Sequence, residues 1–170
     1  MIWKQSILAL LVIIILISSI LPNFAANPAN QDVTVTVAPT VSIESVWNGV
    51  IGNPISLGTF NAIGSNNSFI GNETLRTYSN VPINVTVRVS GPLTGTNISN
   101  TFALTDFGYY NSYTSSYQSF STTAALIKTN WAKAPKGSYN SIPVDLWLYV
   151  PSGQDPDTYN CTIIYSAIRA

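Results

Sequence analysis

The segment Ile83-Asn84-Val85-Thr86-Val87-Arg88-Val89 decides the fold class. Its apolar residues occupy every second position, and polar residues fill the positions between them. A period of two is typical of a β-strand that buries one face and exposes the other. The segment therefore predicts a strand whose isoleucine and valines are buried and whose Asn84 faces water.

The same alternation recurs along the chain. Ile142 to Val150 carries apolar residues at every second position and predicts a central strand, and Tyr159 to Ile168 predicts a closing strand. In the closing strand the single cysteine, Cys161, is expected to be a small buried apolar residue. Thr122 to Trp131 suggests a short turn of helix. Together these patterns predict an all-β, antiparallel β-sandwich of the immunoglobulin-like or jelly-roll-like type.

Residues 1–26 have the order of a secretory signal peptide: Lys4, an apolar run from Ile7 to Leu21, and then a proline and small residues. The run is shorter than the roughly 20 residues that a spanning helix needs. We therefore expect export, with cleavage near Ala25 or Ala26, and a secreted or cell-surface protein. An uncleaved N-terminal anchor is the alternative, because the usual small residue three positions before the cut is missing, and it would be the chain's contact with a membrane.

The composition argues against most chemistry. The chain has no histidine, which removes the commonest general base and the commonest zinc ligand. Its seven basic and seven acidic residues form no cluster, so a nucleic-acid partner is not expected. Asp155 and Asp157 are too few for a calcium site and are interpreted as turn residues. No catalytic residue, cofactor or metal site is predicted.

Two kinds of residue suggest a surface role. Asn-x-Ser/Thr sequons, which are glycosylation sites if the host has the machinery, begin at Asn66, Asn72, Asn84, Asn97 and Asn160. Tyrosines among serines resemble adaptable recognition surfaces, and the candidate binding surface consists of Tyr109, Tyr110, Tyr113 and Tyr117. The alternative for these tyrosines is a strand pair with an aromatic face or an aromatic cover over the core.

Three segments carry a resemblance to a known family. They are the Val-Thr repeat Val33–Val37, the strand Val41–Val46 with Leu57–Phe60 after it, and the closing Tyr159–Tyr165. This combination resembles archaeal surface filament subunits, the threads and bundling pili related to the biofilm matrix fibre protein TasA. The resemblance implies an extracellular homopolymer whose subunits are joined by donor-strand complementation, in which the N-terminal strand of one subunit completes a sheet of the next.

On this resemblance, residues 27–38 are an extension that contains the donor strand, and residues 39–170 are the sandwich domain. Val33, Val35 and Val37 would enter the neighbouring subunit, with Pro39 as the hinge. The alternative is a first strand that kinks and pairs within its own domain. The alternative function is a monomeric cell-surface binding module or adhesin, which would contact glycans or surface proteins through the tyrosines or through Trp147 and Tyr149.

Overall fold

The computed structural model describes residues 33–111 and 115–170. The predicted signal peptide (1–26) and the beginning of the extension lie outside these residues. The chain divides into two compact units, residues 1–37 and 38–170. Among the described residues, the helical element is a single turn of 3-10 helix at Leu104–Asp106, and no helix could cross a membrane.

The strands, numbered along the chain, are β1 (Ile43–Trp47), β2 (Val50–Ile51), β3 (Ser65–Phe69), β4 (Glu73–Thr77), β5 (Ile83–Val89), β6 (Phe107–Asn111), β7 (Ser116–Ser119), β8 (Ala125–Trp131), β9 (Asn140–Pro143), β10 (Asp145–Val150) and β11 (Ile163–Arg169). They form three sheets with the orders β2-β1-β4-β9, β3-β10-β6-β7 and β11-β5-β8. Every strand pair is antiparallel. The prediction of an all-β, antiparallel sandwich is confirmed.

The strand predicted at Ile83–Val89 is β5, with those bounds. Its inward side chains belong to one core cluster with residues of the other two sheets. Asn84 is only half-buried, and its side-chain Oδ1 accepts a hydrogen bond of 2.8 Å from the backbone N–H of Asn130. Asn130 has a φ of 44°, and the pairing of β5 with β8 is irregular here, so Asn84 stabilises a β-bulge.

The strand predicted at Ile142–Val150 is divided in two. β9 is an edge strand of the first sheet, whereas β10 lies between β3 and β6 in the second. At the junction Val144 is fully buried, and its N–H donates to the carbonyl of Glu73. The chain therefore changes sheets without losing its alternation, as strands do at the corners of sandwiches. The prediction of a central strand holds for β10 and is wrong for β9.

Other predictions need correction. Thr122 to Trp131 forms no helical turn; the strand β8 occupies Ala125–Trp131, because Ile127 and Trp131 are needed in the core.

The closing strand begins at Ile163 rather than Tyr159. Cys161 is half-buried rather than buried, and burial still raises the pKa of its thiol to about 11. The segment Val33–Val37 is not a strand, and it forms no ladder with any strand of the described residues.

Candidate functional site

The N-terminal valines are exposed. Val33, Val35 and Val37 have 90%, 84% and 75% of their surfaces accessible to solvent in the single chain. Because they alternate with threonines, an extended conformation would place all three on one face. In that conformation, exposed β-branched residues with this period would form a strand face of the kind that adds to the edge of another sheet.

The domain holds the chain on both sides of Pro39. The side chain of Asn80 donates from Nδ2 to the carbonyl of Ala38 at 2.9 Å, and its Oδ1 accepts from the N–H of Thr40 at 2.7 Å. The second compact unit also begins at Ala38. The hydrogen bonds of Asn80 therefore hold the chain at Pro39, the residue predicted as a hinge. Nothing in the sequence pattern pointed to Asn80 as the residue that holds it.

β11 has a free edge. The N–H of Ser90 donates to the carbonyl of Thr162, and the N–H of Ala170 donates to the carbonyl of Pro82. The register of β11 with β5 is regular. These two bonds therefore show that the backbone N–H and C=O groups of the even-numbered residues of β11 point towards β5. The N–H and C=O groups of Ile163, Tyr165 and Ala167 consequently point away from β5, where β11 pairs with no described strand.

The core is incompletely covered beside this edge. Ile163, Tyr165 and Ala167 pack against the core cluster but are only half-buried. β1 approaches β11 from the first sheet, and its Ile43 is half-buried in the same way. The backbone edge of β11 is therefore unpaired among the described strands, and its core-side side chains are incompletely covered.

A buried carboxyl group lies at this junction. Glu73 of β4 is fully buried, and its Oε1 accepts a hydrogen bond of 2.8 Å from the hydroxyl of Ser45 in β1. Burial raises the pKa of Glu73 to about 7, although the Ser45 hydroxyl and the nearby Tyr165 hydroxyl both lower it. Glu73 Oε2 and the Tyr165 hydroxyl are not in hydrogen-bond geometry with each other, and neither atom has another hydrogen-bond partner among the described residues. No sequence pattern indicates this contact, because Glu73 is an isolated acidic residue in the sequence.

The second candidate site is an aromatic face on the sheet that contains β10. The indole ring of Trp147 lies across Gly108, where a Cβ atom would come within 2.6 Å of the indole nitrogen. The ring of Tyr117 lies 6.4 Å from that of Trp147 and 4.9 Å from that of Tyr110. A groove of about 330 Å³ is lined by Asn66, Asn67, Ser68, Tyr117 and Trp147.

The predicted tyrosine surface is only partly correct. Tyr109 is 1% exposed, packs against Phe120 in the core and donates its hydroxyl to Gln118, so placing it on a binding surface was wrong. Its alternation with Tyr110 along β6 explains the difference, since neighbouring residues face opposite sides of a sheet. Tyr110 and Tyr117 do face the same side. Tyr113 lies outside the described residues.

The sequons differ in what their side chains do. Asn72 donates from Nδ2 to Asn48, Asn97 accepts at Oδ1 from the N–H of Ser99, and Asn160 donates from Nδ2 to the carbonyl of Thr158. Asn66 is exposed on β3 and makes no side-chain hydrogen bond with the described residues. The five predicted acceptors are therefore not structurally equivalent.

The acidic pair near the C-terminus serves as a turn. The Asp157 carboxylate accepts hydrogen bonds from the backbone N–H groups of Thr96 and Asn97 and from the side chain of Asn100. The bond from Asn97 is the main cause that lowers the pKa of Asp157 to about 2. In the part of the chain that the structure describes, no three acidic or cysteine side chains are grouped closely enough to hold a metal ion.

These features describe an all-β domain in which β11 is a half-covered edge strand of its sheet and the sheet that contains β10 carries an aromatic face. Comparison of the chain with models of protein families, with curated proteins and with solved structures found no significant match in any of the three.

Proposed function

We propose that the protein is a structural subunit of an extracellular filament, in which residues Val33–Val37 of one copy add to the free edge of β11 in the next. The observation that carries the proposal is the exposure of three alternating valines on a chain whose own domain has an open, half-covered edge. The proposal requires export from the cell, and the signal-peptide pattern of residues 1–26 predicts such export.

The added strand matches the edge in length and chemistry. Five residues, Val33–Val37, can face Ile163–Ala167, where three residues present unpaired backbone N–H and C=O groups. Burying three valines contributes about 5 kcal/mol before ordering costs, and each ladder hydrogen bond adds about 1 kcal/mol. Exposed threonines on the other face would keep the joint soluble on its outside.

Electron microscopy by negative stain tests the proposal. The chain from residue 27 is imaged at rising concentration beside a variant that lacks residues 27–38 and beside the triple variant Val33→Thr/Val35→Thr/Val37→Thr. Threonine keeps the shape and β-branching of valine but replaces one of its two methyl groups with a hydroxyl, which makes burial of the segment less favourable. Filaments are expected from the parent chain alone.

The matched control is Thr34→Ser/Thr36→Ser, which changes the opposite face of the same segment and should still form filaments. Circular dichroism checks that every variant is folded. Filaments from the triple valine variant would contradict the proposal. Monodisperse particles from all chains would also contradict it and would favour the alternative of a monomeric surface binding module.

A further inference from the structure

The aromatic face and one of the sequons occupy the same place. Asn66 lies opposite Tyr149, and Ser68, the third residue of its sequon, lies opposite Trp147. Side chains that face each other across antiparallel strands are about 5 Å apart, and diagonal neighbours are about 7 Å apart. The side-chain amide of Asn66 is therefore no farther than the length of one sugar ring from the side chains of Tyr149 and Trp147. Asn66 also lines the groove that Tyr117 lines.

We propose that Asn66 is an N-glycosylation site whose first sugar packs in this groove against Trp147 and Tyr117. The C–H face of a pyranose ring is apolar, and it packs on aromatic rings that are partly exposed in the free protein. Gly108 contributes by letting the indole lie flat on the sheet, since any side chain there would collide with it. The occupant of the groove is thus a glycan of the chain itself.

The chemistry needs a lipid-linked oligosaccharide, a polyprenyl phosphate or diphosphate ester, as co-reactant. The Nδ2 atom of Asn66 attacks the anomeric carbon, the new C–N bond replaces the C–O bond to phosphate, and Nδ2 loses one proton. The polyprenyl phosphate or diphosphate leaves with the electron pair of the broken bond. No electron transfer and no oxidant is required.

Asn66 fits this role better than Asn72, Asn84 or Asn97. Asn72 donates its Nδ2 to Asn48 at 2.7 Å, and Asn84 uses its Oδ1 to hold the β-bulge. Asn97 lies on the loop that Asp157 holds, where its neighbour Ile98 is 82% exposed. A glycan at Asn97 would extend into solvent, which makes this sequon the matched control.

The test compares the full chain secreted from insect cells with the same chain made in a bacterial cytoplasm, where no N-glycan is added. Site-specific mass spectrometry should find Asn66 occupied in the secreted protein. Removing the sequon with Ser68→Ala should lower the melting temperature of the secreted protein by about 2 to 4 °C and leave that of the bacterial protein unchanged.

The packing contact is isolated by a double-mutant cycle. The effect of Ser68→Ala should disappear in a Tyr117→Ser background and persist in a Tyr117→Phe background, which keeps the ring. Ser99→Ala, which removes the Asn97 sequon, should give the same change with or without the Tyr117 ring.

Three results would overturn the proposal. The first is an unmodified Asn66 in the secreted protein. The second is a Ser68→Ala effect that does not depend on Tyr117. The third is a fall in the melting temperature of the bacterial protein on Ser68→Ala that equals the fall in the secreted protein, since the bacterial protein carries no glycan.

Discussion

β5 and β11 are adjacent strands of one sheet, each seven residues long. β5 alternates strictly, whereas β11 places Ile163, Tyr165 and Ala167 on the core side but also carries Ile164 and Ile168 on the opposite face. The inward residues of β5 are at most 2% exposed, whereas those of β11 are half-buried. Among the described strands, β5 has a neighbour on each side, but β11 has a neighbour on one side only. Alternation therefore determines which face a strand buries, while the neighbouring strands determine how completely that face is covered.

The largest expected effect comes from truncating the same residue type in the two strands. Ile83→Ala in β5 should lower the free energy of unfolding by about 4 kcal/mol, because it leaves a cavity in a closed part of the core. Ile163→Ala in β11 should cost about 1 to 2 kcal/mol in the monomer, since water already reaches that site. Chemical denaturation of the two variants measures both values, and equal losses would show that the β11 edge is closed.

The second comparison uses the two sides of β11 itself. Ser166→Pro removes an N–H that points towards β5 and should cost about 3 kcal/mol, because a ladder hydrogen bond is lost. Ala167→Pro removes an N–H that points to the free edge, so it should cost about 1 kcal/mol or less in the monomer. Thermal unfolding measures the difference.

On the proposed function, Ala167→Pro should also abolish filaments while leaving a folded monomer, because the incoming strand loses a hydrogen-bond donor and meets the proline ring. Filaments of normal yield from Ala167→Pro would place the joint elsewhere. Loss of stability equal to that of Ser166→Pro would show that the edge is already paired.

The third effect depends on pH and comes from Glu73 beside the open edge. Its pKa is about 7 in the folded state and near 4.5 when unfolded, so the folded state binds the proton more tightly. The resulting stability is fully present below about pH 4.5 and is lost as the pH rises through about 7. We expect a loss of up to about 3 kcal/mol between pH 4.5 and pH 8.

Urea unfolding at several pH values measures this loss, and Glu73→Gln should nearly abolish the dependence, because glutamine keeps the size and stays neutral. Ser45→Ala should increase the loss, since it removes the hydrogen bond that favours the charged form. An unchanged pH profile in Glu73→Gln would mean that another group titrates in this range.

The sequence predicted the fold class and much of the core because period-two patterns depend on local chemistry. It located β5 to the residue and the inward face of β10, yet it missed the sheet change at Val144, since alternation continues through the corner. It placed Tyr109 on a surface because composition does not assign faces. Three features depend on which segments become neighbours: the open edge of β11, the hydrogen bonds of Asn80 to the chain around Pro39, and the contact of Glu73. No local sequence pattern contains that information.

The smallest expected effect concerns the turn that leads into β11. Hydrogen bonds from the backbone favour the charged form of Asp157 and lower its pKa to about 2, below the unfolded value near 3.8. Stability from this group is therefore present above about pH 4 and is lost as the pH falls through about 2. This window does not overlap that of Glu73, so the two groups can be followed separately in one titration.

Asp157→Asn should remove the dependence between pH 4 and pH 2 and should loosen the bridge between Asn160 and Thr94, observed as faster amide hydrogen exchange at those two residues. The control is Asp155→Asn, because Asp155 contributes its backbone carbonyl to the turn, as the acceptor of the Tyr159 hydroxyl. If Asp157→Asn speeds exchange in β5 as much as in β11, the turn supports the whole sheet. If exchange rises only around Asn160, Asp157 holds only the turn that leads into β11. The two strands then differ in local dynamics as well as in packing.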